Sequence, residues 1–145
     1  MRYWGAFVLG LLLLAGQYSI GAPQTATENS GEKLDGEWEL VGFKYGQGPR
    51  QTVAANRREI KLISGTHFVW VVYETKKQKP IGVGGGTCAR RGDQYTERLE
   101  FGDSRTKGML GKSQEFHVVI AGQMWQHSGI MTDGLPIEEL WKRVE

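Results

Sequence analysis

The chain has 145 residues, of which 39% are hydrophobic and 23% are charged, a balance typical of one globular domain. Its 18 basic and 16 acidic residues nearly cancel and form no basic stripe, so we do not expect nucleic acid as a partner. The 21 glycines and only 4 prolines favour many tight turns, and hence an all-β protein, over long helices.

The N-terminus has the layout of a secretory signal peptide. Arg2 supplies a positive charge, an uninterrupted apolar run covers Ala6–Gly16, and small and polar residues follow it. The run is shorter than the about 20 residues that a membrane-spanning helix needs. We therefore predict a cleaved signal peptide over residues 1–22, with an uncleaved anchor as the alternative. The expected product is secreted or periplasmic and keeps no stable membrane anchor after cleavage. Residues 23–33 are polar and small, which predicts a flexible leader before a single domain over residues 34–145.

Alternation of apolar and polar residues predicts the first strands of this domain. In "LDGEWELVGFKYG", Trp38 and Leu40 alternate with two glutamates at period two. After a polar connection, "EIKLISG" predicts a strand with Ile60 and Leu62 on one face. The run "THFVWVVYE" has apolar side chains on both faces, which is typical of a well-covered central strand. One of these two faces holds Phe68, Trp70 and Val72.

A glycine run, "IGVGGGTC" from Ile81 to Cys88, raises the question of a phosphate-binding loop. Thr87 stands where the dinucleotide-binding fingerprint needs its last glycine, and no Gly-Lys-Ser/Thr sequence follows. No helix is predicted behind the run to hold a phosphate. Glycines within a strand instead mark a bend, a bulge or a close approach of two backbones. We therefore predict that the run bends a strand at a corner of a barrel.

The second half of the domain predicts further antiparallel strands. A Gly-Asp turn precedes "YTERLEF", whose alternation places four side chains on one face: Tyr95, Glu97, Leu99 and Phe101. A glycine-containing loop leads to "QEFHVVIAGQMWQHSGI", a hairpin that turns at Ala121 and Gly122. The final segment, "IEELWKRVE", is a strand or a short helix, and Pro136 before it favours the strand. About eight strands with short turns predict an up-and-down antiparallel barrel, with a sandwich as the alternative.

Several of these runs resemble known proteins. The Gly36-x-Trp38 opening is similar to the G-x-W motif of lipocalins and their calycin relatives, which tend to pack a C-terminal arginine against that tryptophan; Arg143 is the matching residue. The runs "ISGTHFVWVVYE", "GGGTCARRGDQYTE", "LGKSQEF" and "IEELWKRV", in this order, resemble bacterial secreted lipocalin-like domains of unknown function. The resemblance covers residues 34–144. It implies a barrel of about eight to ten strands, one mouth open to a small apolar ligand, and no established enzymatic activity. Cys88 departs from these sequences, which usually have an aromatic residue there, and would enlarge or reline the pocket if it faced the cavity.

Glu97 is the most informative candidate for a binding site. Its alternation with Tyr95 and Leu99 places it among inward apolar side chains, where a carboxylate needs a partner. Three roles are open for Glu97: it anchors a ligand inside an apolar cavity, it forms a structural ion pair with an arginine such as Arg143, or it lies near a barrel mouth in water. The aromatic residues around it line such a cavity or fill a core. The predicted ligand-binding residues are Phe68, Trp70, Tyr95, Glu97 and Trp125.

No residue pattern predicts catalysis, a metal site or another cofactor. The three histidines lack the spacing of familiar metal motifs, no serine lies in a nucleophile elbow, and Cys88 has no second cysteine for a disulfide. The Arg-Gly-Asp tripeptide at residues 91–93 is explained by a tight turn. We therefore expect a binding protein that holds a small hydrophobic molecule. Two alternatives stay open: an enzyme of the same fold that uses Glu97 as general acid or base, and a packed barrel that serves as an interaction domain. The sequence sets neither the ligand nor the oligomeric state.

Overall fold

The computed structural model describes residues 33–144. The predicted signal peptide, and all of the predicted leader except its last residue, lie outside the described residues. The described chain forms strands β1 to β9 and one 3-10 helix between β6 and β7 (Ser104–Met109). The strands are β1 (Gly36–Tyr45), β2 (Gln51–Thr52), β3 (Arg57–Ser64), β4 (His67–Glu74), β5 (Lys79–Arg91), β6 (Gln94–Gly102), β7 (Ser113–Ala121), β8 (Met124–Ile130) and β9 (Pro136–Arg143). Over residues 33–144 no helix is long and apolar enough to cross a membrane.

The strands form one closed antiparallel barrel. Each strand from β3 to β8 pairs with the next along the chain, β1 pairs with β3, and a further pairing of β1 with β9 closes the sheet. The two-residue strand β2 only extends the sheet beside β1. Closure pairs the backbone groups that a free sheet edge would expose. The predicted all-β, up-and-down barrel is confirmed, the sandwich is excluded, and the final segment is the strand that Pro136 favoured.

The closed end of the barrel is the end at which β1 begins and β9 ends. Trp38 is fully buried there, and its Nε1 donates a hydrogen bond of 2.7 Å to the carbonyl oxygen of Leu34. The guanidinium of Arg143 lies 4.1 Å from the centre of the Trp38 ring, a cation–π contact. It also donates hydrogen bonds to the carbonyl oxygens of Lys33 and Asp35. This confirms the arginine–tryptophan contact that the resemblance implied, and it seals this end of the barrel.

The glycine run lies in β5, where it lets two strands approach closely. β5 and β6 pair Gly86 with Leu99. The next pair is Gly85 with Phe101, so Glu100 is an extra residue on β6 and forms a β-bulge. A Cβ atom at residue 86 would collide with the backbone of β6, so this close approach requires glycine. The close approach of two backbones, one of the features that glycines within a strand can mark, is therefore observed at this run, beside the bulge.

Because of this bulge, the prediction that Phe101 shares a face with Tyr95, Glu97 and Leu99 is wrong. Tyr95, Glu97 and Leu99 are buried and point into the barrel, as predicted, but 51% of Phe101 is exposed. One extra residue in a strand reverses the alternation of the side chains beyond it. Phe101 therefore lies on the outer surface, over Gly85, and not in the interior.

The inward face of strand β3 carries charged side chains beside the apolar side chain of Ile63. Ile60 and Leu62 share a face, as predicted, but the face that points into the barrel carries Glu59 and Lys61. The reason is the pairing of Lys61 with the inward-pointing Trp70 of β4, because paired residues of neighbouring strands point to the same side of a sheet. Two charged residues consequently enter the barrel.

Candidate functional site

The end of the barrel opposite the closed end, which we call the open end, holds a cavity of about 270 Å³. Much of its wall is aromatic or aliphatic, including Phe68, Trp70, Val72, Leu99, Phe116 and Ile137. Thr106 and Met109 of the 3-10 helix cover part of the opening, in a segment that the sequence predicted only as a loop. Apolar clefts with a few polar groups are typical ligand sites.

Three of the five predicted ligand-binding residues line this cavity: Phe68, Trp70 and Glu97. The other two, Tyr95 and Trp125, lie in the packed half of the barrel, 1% and 0% exposed, where their rings meet edge to face at 5.6 Å. Alternation tells which side chains point inward, but not how far along the barrel axis each one lies. Tyr95 and Trp125 therefore lie between the cavity and the closed end of the barrel and do not line the cavity.

The glycine run shapes one wall of the cavity. Gly84 pairs with Trp70, and a Cβ atom there would lie 2.6 Å from the indole ring. Gly82 likewise leaves the space that the guanidinium of Arg105 occupies, from which it donates a hydrogen bond to the carbonyl oxygen of Ile81. Because these two positions carry no side chain, Trp70 lies flat against β5 and Arg105 reaches across the open end.

A buried ion pair joins Lys61 and Glu97 in the lining of the cavity. Lys61 Nζ donates a hydrogen bond of 2.7 Å to Glu97 Oε1, and only 4% and 10% of the two side chains are exposed. Three aromatic rings surround the ammonium, with centres 4.9, 5.4 and 5.7 Å away: those of Trp141, Trp125 and Phe68. Burial alone would lower the pKa of Lys61, but the carboxylates of Glu97 and Glu139 outweigh it and raise that pKa. The amine therefore stays protonated. Glu97 thus forms a structural ion pair, though with Lys61 and not with the predicted Arg143.

Glu139 of β9 is the second buried carboxylate of the cavity. Its Oε1 accepts a hydrogen bond of 2.6 Å from Tyr45 Oη, and its Oε2 accepts one of 3.1 Å from Trp141 Nε1. The Nε2 atom of His127 lies 2.7 Å from the same Oε2. Burial alone would raise the pKa of Glu139, but His127, Lys61 and Tyr45 outweigh it and lower that pKa to about 2. Glu139 is therefore ionised at neutral pH.

His127 and Gln114 line the cavity with buried polar atoms that have no directed hydrogen bond. The His127 ring stacks on Phe116 with 4.3 Å between centres, and neither of its nitrogens has a well-oriented partner among residues 33–144. The amide of Gln114 accepts a hydrogen bond of 2.9 Å from the Thr132 N–H through Oε1, but its Nε2 is unpaired. Buried polar atoms without a partner are uncommon in folded proteins. These two side chains are therefore candidates for contact with a bound molecule.

Glu59 lies at the mouth of the cavity, together with Arg57 and Arg105. Burial, and then the negative charge of Glu139, raise the pKa of Glu59 to about 7. Arg105 is held by Asp103, at 2.8 Å. The mouth of the cavity therefore changes its charge near neutral pH.

Sequence reasoning missed Lys61, His127 and Glu139. His127 and Glu139 had a usable signal, because each lies two residues from a tryptophan, Trp125 and Trp141, and period-two spacing puts both members of such a pair on one face. Lys61 shares its face with Ile63, but Ile60 and Leu62 make the opposite face apolar as well, so alternation does not say which face of this strand points inward.

The remaining candidates lie away from the cavity. Cys88 is buried in the packed half of the barrel, where burial raises the pKa of its thiol, and it does not line the cavity. His67 and His117 are exposed, and His117 Nδ1 lies 3.2 Å from Asp93 in the Arg-Gly-Asp turn. In the part of the chain that the structure describes, no group of three or more His, Cys, Asp or Glu side chains is arranged to hold a metal ion.

Comparison with known proteins bears on the fold. No protein-family model matches the sequence, and no curated protein matches it. A lipocalin-like protein from Bacteroides uniformis superposes with a TM-score of 0.58 at 14% identity, over 77% of this chain and 98% of the other. An uncharacterized protein from Bacteroides eggerthii superposes with a TM-score of 0.56 at 12% identity, over 77% of this chain and 100% of the other. A redesigned β-barrel superposes with a TM-score of 0.50 at 13% identity, over 77% of this chain and 92% of the other. At these identities the likeness concerns the fold, and this chain has the lipocalin-like β-barrel fold.

Proposed function

We propose that this protein binds a small, mostly apolar molecule in the barrel interior, and that the molecule enters through the open end. One observation carries the proposal: a cavity of about 270 Å³ lies at this end, above a tightly packed lower half. Phe68, Trp70 and Val72 supply an apolar wall. Burial of ligand surface against such a wall contributes about 25 cal/mol per Å² of apolar area removed from water. The few polar groups of the lining orient the ligand.

The same cavity favours binding over the two alternatives. A barrel filled by its own side chains has no such space, so a role as a packed interaction domain is less well supported. An enzyme that uses Glu97 as general acid or base needs this carboxylate free to exchange a proton with a substrate. Lys61 binds it at 2.7 Å, which supports a structural role for Glu97.

Binding of a fluorescent reporter tests the proposal. N-phenyl-1-naphthylamine is uncharged, and its fluorescence rises when it enters apolar surroundings. Val72 lines the cavity, whereas Val71, its neighbour on β4, points away from it. We expect Val72→Trp to weaken binding of the dye by about tenfold or more, because the added ring occupies the cavity, and Val71→Trp to leave it unchanged. Equal binding by the natural protein and both variants, or no binding by the natural protein, would contradict the proposal.

We propose in addition that the chain is exported to the periplasm or the medium. Arg2 and the apolar run Ala6–Gly16, which lie outside the described residues, form the pattern of a signal peptide. Cell fractionation and intact-mass measurement test this. We expect a product shortened by about 22 residues outside the cytoplasm. Leu12→Arg, which interrupts the apolar run, should keep the full-length chain inside the cell. A full-length natural chain in the cytoplasm would contradict export.

A further inference from the structure

We propose that the open end of the barrel docks reversibly on the surface of an anionic phospholipid membrane. The inference goes beyond the proposed binding function, because it concerns the outer rim of the barrel and not its interior. It follows from the charge of the chain segments at this end and from the apolar side chains that are exposed among them.

Basic residues are concentrated at the open end. Four segments form this end, each running from the last residue of one barrel strand to the first residue of the next: 45–57, 74–79, 102–113 and 130–136. They contain eight lysine or arginine residues and three aspartate or glutamate residues, a net charge of +5. The closed end, counted in the same way, has three basic and two acidic residues, a net charge of +1. Its segments are 33–36, 64–67, 91–94, 121–124 and 143–144. The excess of positive charge therefore lies on the side of the cavity mouth.

Most of these basic side chains are available to an external anion. Three of the eight lie within 3.3 Å of a carboxylate oxygen: those of Arg50, Lys77 and Arg105. The other five are exposed and form no ion pair with residues 33–144: Arg57, Lys76, Lys79, Lys107 and Lys112. Each lysine or arginine close to an anionic lipid surface raises the binding constant by about fivefold. Five such side chains at one end of a small barrel favour docking by that end.

Three aliphatic side chains are exposed at the same end. Ile130 and Leu135 flank the turn between β8 and β9 and are 68% and 41% exposed. Leu110, which directly follows the 3-10 helix, is 41% exposed. Leu135 also lines the cavity, so the exposed apolar surface continues into the mouth.

A membrane surface complements both kinds of side chain. Lipid phosphates attract the basic groups, and the boundary of the acyl chains buries the aliphatic ones. A nucleic acid matches only the charge, because its phosphate backbone offers no apolar surface. In this orientation the mouth of the cavity faces the bilayer, in which apolar molecules dissolve. A ligand of the proposed kind then passes between membrane and barrel without crossing water.

Flotation with lipid vesicles tests the inference. Protein isolated from its own cells is mixed, without added ligand, with vesicles of phosphatidylcholine alone or of equal parts of phosphatidylcholine and phosphatidylglycerol. In about 0.1 M salt we expect at least about tenfold tighter binding to the anionic vesicles. Raising the salt to about 1 M should weaken this binding, because the Debye length falls from about 10 Å to about 3 Å. Absence of binding to both kinds of vesicle, or equal binding to both, would overturn the inference. Either result leaves the proposed function standing, because dye binding is measured without vesicles.

Variants without positive charge locate the docking surface. The triple variant Lys76→Gln, Lys79→Gln and Lys107→Gln should bind the anionic vesicles about a hundredfold more weakly, at about fivefold for each charge. The matched control removes three exposed charges at or beside the closed end: Lys33→Gln, Arg91→Gln and Lys142→Gln. Its affinity should fall by less than about fivefold, because these charges are held away from the lipid and are screened by salt. Equal losses in the two triple variants would overturn the inference.

A second pair of variants tests the contact of apolar side chains with lipid. Ile130→Asn should lower the affinity for anionic vesicles by about five- to tenfold, because the side chain loses its burial among the lipids. Val119→Asn is the matched control, since Val119 is 52% exposed on β7 near the closed end, and it should bind like the natural protein. Equal binding by both variants would overturn docking by this rim. Tighter binding of duplex DNA than of the anionic vesicles would overturn the inference in favour of a nucleic acid.

Discussion

Replacing Lys61 by methionine should destabilise the barrel by about 3–5 kcal/mol, because it leaves the buried carboxylate of Glu97 without its cation. The charged atoms of the pair are 2.7 Å apart, which corresponds to an attraction of about 6 kcal/mol at an effective dielectric constant of about 20. Removing each charged side chain from water costs several kcal/mol, so attraction and desolvation nearly cancel for the intact pair. The full cost appears only when one partner is removed and the other stays buried.

Urea unfolding followed by tryptophan fluorescence measures this effect, because the pair lies among buried tryptophan rings. Lys61→Met, Glu97→Leu and the double variant form a double-mutant cycle. We expect the double variant to lie within about 1 kcal/mol of the natural protein, or above it, since it leaves no unpaired charge. Lys77→Met is the matched control: its ammonium lies 3.3 Å from Glu74 but is 71% exposed, so the loss should stay below about 1 kcal/mol. Two results would refute the reasoning: a loss below about 1 kcal/mol for Lys61→Met, or additive losses in the double variant.

Three further predictions concern pH, the glycine run and the closed end. The lowered pKa of Glu139 should make the free energy of unfolding fall as pH drops from 4.5 toward 2, because the ionised carboxylate stabilises the fold. The raised pKa of Glu59 should make the free energy of unfolding fall as pH rises from 4.5 to 7. The two effects together place the highest stability near pH 4.5. Urea unfolding across this pH range measures both slopes. The decline above pH 4.5 should disappear in Glu59→Gln. A decline that persists in this variant would contradict its attribution to Glu59. Gly86→Ala should lower the free energy of unfolding by about 1–3 kcal/mol, whereas Gly108→Ala, whose Cβ atom would meet nothing within 4 Å, should not lower it. Equal effects of these two variants in urea unfolding would contradict the close approach of β5 and β6. Arg143→Lys should lower the free energy of unfolding by about 1–2 kcal/mol, because lysine lacks the guanidinium that contacts the Trp38 ring and donates to two backbone carbonyl oxygens. An unchanged melting temperature would contradict this prediction.

The barrel was predictable because it depends on local patterns. Alternation around Trp38 and Leu40, and again from Tyr95 to Leu99, identified strands with one buried face. Short turn signals between such strands favour antiparallel neighbours, and many of them in succession favour a meander that closes. The glycine run was assigned to a bend for a similarly local reason, since it has neither the helix nor the residues of a phosphate loop.

The candidate site was only partly predictable, because its polar residues depend on pairing between strands. The bulge at Glu100 moved Phe101 to the outside, although the sequence there alternates without interruption. The inward face of β3 depends on its register with β4, and the choice between the face of Ile60 and that of Lys61 has no local signal. Phe68, Trp70 and Glu97 were found because their inward neighbours are apolar.

By itself the sequence determined the class of fold, the number of strands to within one or two, and most of the residues that point inward. The tertiary structure alone decided where along the barrel axis the interior is hollow and which buried charges meet. The physical reason is the range of the interactions. Alternation is a property of a few neighbouring residues. The contact between Lys61 and Glu97 joins residues 36 positions apart, and it exists only once the register of every strand between them is set.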